Sequence, residues 1–266
     1  MRKTSETYSL FAAGGLVAVA LATLARGAPQ TLPPGPTPED EAGASAAWAE
    51  VLERYVDDLG RVDFAGLSEN REGIEAYLRW VARADESRMG RAERVAFHVN
   101  AYNALAMYGV VRAGIPESFD GLWAKVRFFV VPKYEVAGRR LSLYGLENRV
   151  IRKEADARAH VVLNCMSRSC PRLPREPFRA GTFGLYQLDR EARRFYNEER
   201  NVRIDHAGRT VRLSKILGLY TRDFLGEAPS LIAYVNRYRE DKLPEGYLVE
   251  FVPYDWTLNR QPDRSP

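Results

Sequence analysis

A histidine, an asparagine and two cysteines lie within one short stretch of the chain. Residues 159–171 read AHVVLNCMSRSCP, in which an apolar run follows His160 and ends in a tight polar loop. If this run is a buried strand, His160 and Asn164 share one face and Cys165 lies on the other, because side chains alternate along a strand. An imidazole near thiols and amides can serve as a general base or a metal ligand. This stretch is the first candidate for chemistry.

The two cysteines allow several interpretations. As a disulfide, Cys165 and Cys170 close a short loop, and the gain in stability is roughly 2–3 kcal/mol. As a nucleophile, one of them needs a base, His160 or His98, and a cation such as Arg168 that lowers the thiol pKa. As metal ligands, they and His160 match no common zinc spacing. Free, inert thiols are the remaining interpretation.

Two asparagines lie in an apolar helical stretch. On a helix, Asn100, Asn103 and Met107 fall on one face. A buried amide must find hydrogen-bond partners, because leaving it unpaired costs a few kcal/mol. The pair therefore indicates either a polar cluster beside a pocket or a brace for a neighbouring loop.

Two further segments carry polar groups. Glu147 lies inside a helix predicted at residues 143–153, either as a general base or as a solvated carboxylate paired with Arg149 or Lys153. Residues 254–259, YDWTLN, combine two aromatic rings with Asp and Asn. We interpret this segment as a C-terminal latch, with an aromatic shelf for a ligand as the alternative.

The elements that position these groups change in type along the chain. Helices come first, followed by hairpins and strands mixed with helices, without regular βαβ alternation. The order predicts an α+β fold in which a mixed, mostly antiparallel sheet is flanked by helices in a single domain. Helical spacing appears at residues 48–59, 74–81, 91–113, 143–153, 185–195 and 231–235, hairpin signals at 134–141 and 202–213, and apolar strand-like runs at 126–131, 159–164 and 247–252.

Composition limits the kind of partner. The chain is 45% hydrophobic and 28% charged, with a net charge of +4, as in an ordinary globular protein. Its arginines are scattered rather than clustered, so no nucleic-acid partner is predicted. No glycine-rich phosphate loop is present, and no cofactor or metal is predicted.

The N-terminus has the pattern of an export signal. Arg2 and Lys3 precede the uncharged residues 10–24, and Ala-Arg-Gly at 25–27 resembles a cleavage site. Fifteen apolar residues fall short of the roughly 20 that span a bilayer, so residues 1–27 are predicted to be a signal peptide. An uncleaved membrane anchor is the alternative.

The export signal sets the predicted domain organisation and compartment. Residues 28–47, with five prolines, are predicted to be an extended linker, and residues 48–260 the globular domain. Export to the periplasm or cell envelope favours the disulfide interpretation of the cysteines, because disulfides persist in oxidising compartments.

Four segments together resemble a known family. FHVNAYNAL at 97–105, LSLYGLEN at 141–148, HVVLNCMSRSCPRL at 160–173 and YDWTLN at 254–259 are similar, in this order, to the "domain of unknown function 547" family. The resemblance implies a fold and a motif pattern rather than a reaction. His98 stands where such motifs often have tryptophan, which weakens its candidacy. The motif residues are Asn100, Tyr102, Asn103, Glu147, His160, Cys165, Cys170, Pro171, Asp255 and Trp256.

The leading hypothesis is a pocket that binds or hydrolyses an amide- or peptide-type envelope ligand, a small molecule or a peptide. His160 is the general base, and asparagine amides polarise the carbonyl. The alternatives are a non-enzymatic binding or scaffolding module braced by a disulfide, and a thiol redox protein, which the absence of a Cys-x-x-Cys spacing weakens. The pocket is predicted from Asn100, Asn103, Glu147 and His160, with the Cys165–Cys170 loop as its cap and Tyr102, Asp255 and Trp256 beside it.

Overall fold

The computed structural model describes residues 30–179 and 186–262. The predicted signal segment, residues 1–27, lies outside the described residues. In the described ranges, helices fill the N-terminal half and two small sheets follow, which confirms the predicted α+β fold with flanking helices. No helix in these ranges is both long and apolar enough to cross a membrane.

The first four helices pack together, and the longest of them, α4, is the helix predicted at residues 91–113. This helix begins after Gly90, whose N–H donates to the Glu93 carboxylate at 2.6 Å. All of its residues from Val95 to Val111 are buried, which explains why apolar residues surround its whole circumference. The four helices are α1 (Glu41–Tyr55), α2 (Phe64–Glu69), α3 (Glu72–Arg83) and α4 (Arg91–Arg112).

The proline-rich segment differs from the predicted extended linker. Asp40 caps α1 by accepting from the N–H of Gly43 at 2.8 Å, so the last seven residues of the predicted linker are helical. Upstream, Arg79 on α3 donates to the carbonyl oxygens of Pro33 and Pro36, both at 2.9 Å. We call residues 30–36 the strap, because these bonds hold it against the helical layer.

The middle of the chain forms short helices interrupted by wider turns. Helix α5 (Leu122–Lys125) continues into a π-helical turn at Val126–Val130, so the apolar run at 126–131 is not a strand. Helix α6 (Leu143–Leu146) is capped by the Ser142 hydroxyl and also continues into a π-helical turn, Glu147–Ile151. The later helices are α7 (Arg152–Glu154), α8 (Leu188–Asn197), α9 (Lys215–Leu219), α10 (Thr221–Leu225) and α11 (Leu231–Val235).

Both predicted hairpins form. Strands β1 (Tyr134–Val136) and β2 (Arg139–Leu141) pair antiparallel across a turn in which Ala137 and Gly138 have positive φ, as two-residue hairpin turns require. Strands β3 (Val202–Asp205) and β4 (Thr210–Ser214) also pair antiparallel, but β5 (Leu248–Val252) adds to β4 in parallel. The second sheet is therefore mixed.

The segment that carries His160 lies where two apolar cores meet. One core surrounds α1, α3 and α4, and the other lies between α8, α11 and β4. Residues 159–164 were predicted as a strand, but Ala157–Val161 is a 3-10 helix capped by Asp156. Ala159 belongs to the first core and Val161 to the second. Because the segment is buried on both sides, its apolar run is unbroken. Such a run shows neither the periodicity of a strand nor that of a helix, so the sequence does not distinguish the two.

Candidate functional site

Glu147 is a buried carboxylate at the start of a widened helical turn. It opens the π-helical turn after α6, in which the N–H of Arg152 donates to the Glu147 carbonyl oxygen, five residues back. Such turns change the direction of side chains and are frequent at functional sites. The Glu147 side chain is only 6% exposed and accepts hydrogen bonds from the phenols of Tyr102, at 3.3 Å, and Tyr220.

The two phenols keep their protons and so can donate to this carboxylate. Burial first, and then the negative charge of Glu147, raises the pKa of Tyr102 and of Tyr220 well above its ordinary value. A buried carboxylate without donors would be strongly unfavourable. The two hydroxyl groups give each carboxylate oxygen one donor and leave further lone pairs for a ligand.

His160 is oriented by an ion-paired carboxylate. Its Nε2 lies 2.8 Å from Oδ2 of Asp223 on α10. Arg152 holds the same carboxylate with two bonds, from Nε at 2.8 Å and from Nη2 at 2.9 Å. Within residues 30–179 and 186–262, Nδ1 of His160 has no hydrogen-bond partner. The imidazole is therefore fixed at one nitrogen and available at the other.

The charge on Asp223 selects the histidine tautomer. Burial acts to raise the pKa of Asp223, but the hydrogen bonds from His160 and Arg152 outweigh burial and hold this pKa below its ordinary value. An ionised carboxylate only accepts hydrogen bonds, so Nε2 of His160 carries the hydrogen. In a neutral imidazole the lone pair then lies on Nδ1, which is the arrangement of a general base.

Tyr220 connects the histidine to the glutamate. Its ring stacks on the imidazole of His160 with centroids 3.9 Å apart, while its hydroxyl donates to Glu147. The guanidinium of Arg152 lies 5.1 Å from the centre of the same ring. A single aromatic side chain thus fixes the relative positions of the base and the carboxylate.

The two cysteines lie at disulfide distance, with Cα atoms 6.2 Å apart. This pairing agrees with the favoured interpretation of the sequence and leaves neither thiol free. Three polar groups surround the sulfurs: the N–H of Cys165 lies 2.9 Å from Sγ of Cys170, the Ser167 hydroxyl 3.2 Å from Sγ of Cys165, and the Tyr254 hydroxyl within 3.3 Å of both. The disulfide is therefore set in a polar cradle.

One small cavity joins these groups. Its volume is about 50 Å³, enough for a few water molecules, since each needs roughly 10–15 Å³ by this measure. In the part of the chain that the structure describes, no group of three or more His, Cys, Asp or Glu side chains is arranged to hold a metal ion. The polar side chains and the disulfide that line the cavity are Tyr102, Glu147, His160, Cys165, Cys170, Tyr220 and Tyr254.

Asn103 braces the wall of this cavity from α4 and does not line it. Its Nδ2 donates to the carbonyl of Val162 at 3.0 Å, and its Oδ1 accepts from the N–H of Asn164 at 2.8 Å. Asn164 in turn donates to the carbonyl of Pro171 and accepts from the N–H of Met166. This chain of bonds fixes the loop that holds the disulfide.

Asn100 lies at a different place. Its Oδ1 accepts from the indole N–H of Trp48, at 3.3 Å, and from the N–H of Phe178, and its Nδ2 donates to the Phe178 carbonyl at 2.8 Å. The predicted four-residue pocket is therefore corrected: Glu147 and His160 line the cavity, whereas both asparagines bond to backbone or indole groups. The brace interpretation describes their contacts.

The C-terminal segment forms both a latch and a wall. The Ser169 N–H donates to the Asp255 carbonyl, and the Arg168 N–H donates to the Thr257 carbonyl at 2.9 Å, which ties the cysteine loop to residues 254–259. Trp256 lines the cavity together with Tyr254, and the ammonium of Lys125 lies 4.1 Å from the centre of its ring. Asp255 does not line the cavity, and its carboxylate accepts from the N–H of Thr257 at 2.9 Å.

Sequence reasoning missed Asp223, Tyr220 and Arg152. Asp223 lies 63 residues from its partner His160 and belongs to no recognised motif. Arg152 lies within the predicted helix at 143–153, and an arginine on such a helix is expected to have a solvent-exposed side chain. His98, the other histidine weighed as a base, bonds to Glu86 at 2.9 Å and does not line the cavity.

A family model accounts for the centre of the chain. Residues 86–196 match "Protein of unknown function, DUF547". This segment is similar to that family. The predicted resemblance is thus confirmed over a range that includes Glu147, His160 and both cysteines, while the C-terminal motif at 254–259 lies outside the match. Searches of curated proteins and of solved structures found no match.

Proposed function

We propose that this cavity hydrolyses a small amide- or peptide-type bond, with His160 as the general base. The observation that carries the proposal is the orientation of the imidazole: Asp223 fixes Nε2, and Nδ1 is left available in a side chain that lines the cavity. A base held by a third group in this way is the arrangement that acyl-transfer enzymes use.

In the proposed reaction, a water molecule in the cavity is the nucleophile. Nδ1 of His160 takes a proton from the water as its oxygen bonds to the carbonyl carbon. The carbon–nitrogen bond then breaks, and the imidazolium returns the proton to the leaving amine. The products are a carboxylic acid and an amine, so all atoms are accounted for and the disulfide takes no part.

Tyr254 is the proposed donor to the carbonyl oxygen, the role first assigned to the asparagines. Burial raises the pKa of Tyr254, although the Ser167 hydrogen bond opposes this effect. Ser167 donates to the Tyr254 oxygen at 3.1 Å, so the phenol's own proton is offered only to the sulfurs, which are weak acceptors. A neutral donor aimed at developing negative charge stabilises the tetrahedral intermediate.

Glu147 supports selection of an N–H group in the ligand. Its two oxygens accept from Tyr102 and Tyr220 and retain acceptor capacity toward the cavity. An amide or amine supplies the N–H, whereas an ester does not. The small cavity limits the group that enters to a few heavy atoms, such as a primary amide or the end of a peptide side chain.

Thiol–disulfide exchange is the second candidate. It is favoured by the Cys165 N–H and the Tyr254 hydroxyl beside the sulfurs, because hydrogen bonds to sulfur stabilise a thiolate leaving group. In that reaction an external thiolate attacks one sulfur, the Cys165–Cys170 bond breaks, and a mixed disulfide and a free thiolate form. The redox partner would be a dithiol or disulfide protein.

The proposed location is the periplasm or cell envelope, with an envelope small molecule or peptide as ligand. The support is the signal-like sequence of residues 1–27 and the paired cysteines, which suit an oxidising compartment.

Fusion of residues 1–30 to a reporter that is active only after export tests the proposed location independently of the proposed reaction. Reporter activity that is unchanged when residues 1–27 are deleted would contradict it.

The test of hydrolysis is a panel of small amides, peptides and matching esters, offered to the oxidised protein in ¹⁸O-labelled water. We expect one labelled oxygen in the product acid, a preference for amides over esters, and at least a 100-fold loss of rate in His160→Ala. His206→Ala is the matched control, since His206 is exposed and does not line the cavity.

The cysteine variants separate the candidates. Hydrolysis that persists in the Cys165→Ser/Cys170→Ser double variant supports attack by water. Turnover that requires both cysteines and a dithiol reductant contradicts it and favours exchange. Absence of any turnover that depends on His160 leaves a binding or scaffolding module as the remaining interpretation.

A further inference from the structure

A second cavity, of about 110 Å³, shares no lining residue with the first. It lies between α1, α3 and α4, and Asn100 forms part of its wall. Five aromatic side chains surround it. They are Trp48, Tyr77, Trp80, Phe97 and Phe178.

The aromatic rings are packed against one another and so have fixed positions. Trp48 and Tyr77 stack with centroids 5.4 Å apart, and Trp80 meets Phe97 edge to face at 5.6 Å. The bonds from Asn100 to Trp48 and to the backbone of Phe178 hold two further walls. The negative face of an aromatic ring attracts a cation, and five such rings line this cavity.

The entrance to this cavity carries two carboxylates. Glu41, Trp80 and Glu93 line both the inner cavity and a larger neighbouring groove of about 680 Å³, so these three residues form the mouth between them. The groove adds the acidic side chains of Glu39 and Asp85. It also contains Arg83 and Arg88, and Arg179 lines the inner cavity, but carboxylates predominate at the mouth itself.

Tyr77 brings a hydroxyl group to the aromatic wall of this cavity. Its side chain is only 3% exposed, yet across residues 30–179 and 186–262 its hydroxyl has no hydrogen-bond partner. Burial, and then the charge of Glu41, raises the pKa of Tyr77, so the field of that carboxylate reaches the cavity. The Tyr77 hydroxyl is a polar group of the cavity wall that can donate to or accept from water or a ligand.

We propose that this cavity binds an organic ammonium group, such as a methylated amine, that enters between Glu41 and Glu93. The aromatic walls hold its methyl groups, the two carboxylates balance its charge, and the volume accommodates several water-sized groups. The site shares no residue with the hydrolytic cavity and does not depend on the function proposed for it.

The test uses choline and tetramethylammonium as probes. Binding to the full-length protein is followed by tryptophan fluorescence, since Trp48 and Trp80 line the site, and by ligand-observed NMR. We expect saturable binding of both cations. The uncharged isostere of choline, 3,3-dimethylbutan-1-ol, is expected to bind at least 10-fold more weakly, because it has the same shape without the charge.

Variants connect the binding to the mouth. Glu41→Gln/Glu93→Gln is expected to weaken binding of both cations at least 10-fold. Its glutamine at 93 can still accept from Gly90, so α4 keeps its cap. Glu50→Gln, an exposed position on α1 outside both cavities, is the matched control and is expected to change nothing.

The proposal is overturned by any of three results. These are equal affinity for choline and its uncharged isostere, binding that the mouth variant leaves unchanged, and the absence of saturable cation binding by both methods. Saturable binding of a neutral sugar without binding of the cations would identify a carbohydrate site instead and would equally overturn it.

Discussion

His160 and Glu147 share a cavity but are held by different chemistry. His160 is fixed by an ionised carboxylate and Glu147 by neutral phenols, with Tyr220 touching both. An acceptor that is charged keeps a hydrogen on Nε2 of the histidine, while each of the two phenols donates to one oxygen of the glutamate. The proposed base and a hydrogen-bond acceptor therefore lie side by side, which suits a ligand that offers both a carbonyl and an N–H.

The first prediction concerns Asp223 and pH. Because its pKa is lowered on folding, Asp223 stabilises the protein above the pKa it has when unfolded. That stabilisation is lost as the pH falls through the folded pKa. We therefore expect the wild type to lose more unfolding free energy than Asp223→Asn when the pH is lowered from about 6 to about 3. Urea denaturation at each pH measures the difference.

Asp189→Asn is the control for this experiment. Asp189 also pairs with an arginine, Arg158, but lies outside the cavity. The same loss in wild type and Asp223→Asn would show that the carboxylate contributes nothing to folding. Its bond to His160 would then matter for orientation alone.

At the scale of single residues, the sequence predicted the groups that carry unusual chemistry better than the groups that orient them. His160, Glu147 and the cysteine pair stand in recognisable motifs. Asp223 and Tyr220 stand in an ordinary short helix region and reach the site only through the packing of α9 and α10. When tertiary packing brings two distant residues together, their contact produces no periodic pattern in the sequence, so sequence reasoning does not detect it.

Among the elements, α4 and the segment after it act as one unit. Asn103 on the buried helix satisfies the Val162 carbonyl and the Asn164 N–H, so the cysteine loop is positioned from the core outward. The sequence indicated that such an amide must have partners but left open whether they were a ligand or the backbone. Only the fold, which places the loop against α4, decides between them.

Removal of this brace gives the second prediction. Asn103→Ala leaves two buried backbone groups unpaired and is expected to lower the unfolding free energy by about 2–3 kcal/mol. Asn70→Ala, at an exposed asparagine, is expected to change it by less than about 0.5 kcal/mol. Urea midpoints measure both. A shift in Asn103→Ala no larger than that in Asn70→Ala would mean that the loop finds other partners.

The segment at 159–164 shows why one element was assigned wrongly. An apolar run of this length fits a buried strand or one turn of buried helix equally well. The helical conformation is favoured by Asp156, which caps the turn, and by packing against the two cores on either side. The π-helical turns at Val126–Val130 and Glu147–Ile151 also depend on tertiary packing. The spacing of apolar residues in the sequence indicates a helix but does not distinguish an α-helical turn from a wider π-helical turn.

On the scale of the whole molecule, the strap extends the fold beyond the predicted domain boundary. Arg79 is 92% buried by contacts that include the carbonyls of Pro33 and Pro36. Proline-rich composition predicts an extended linker, but composition carries no information about the surface against which such a segment packs. Arginine, with several donors in a fixed plane, suits two carbonyls three residues apart.

The third prediction tests this attachment. In Arg79→Ala the strap loses both anchoring bonds, so we expect protease cleavage within residues 30–40 to accelerate by about 10-fold. Arg83→Ala, on the same helix but without these bonds, is the control. Limited proteolysis with mass spectrometry locates the cuts. Equal resistance of the two variants would show that Arg79 is not what holds the strap.

The position of the C-terminal latch in the sequence determines when the cavity can be completed during synthesis. Tyr254, which supplies the proposed carbonyl donor, follows Cys170 by 84 residues. A ribosome therefore makes the base, the carboxylate and both cysteines long before the wall that completes the cavity. A nascent or truncated chain that lacks residues 254–259 holds the reactive groups but not the assembled site. Synthesis order thus places any chemistry in this cavity after residues 254–259 have been made.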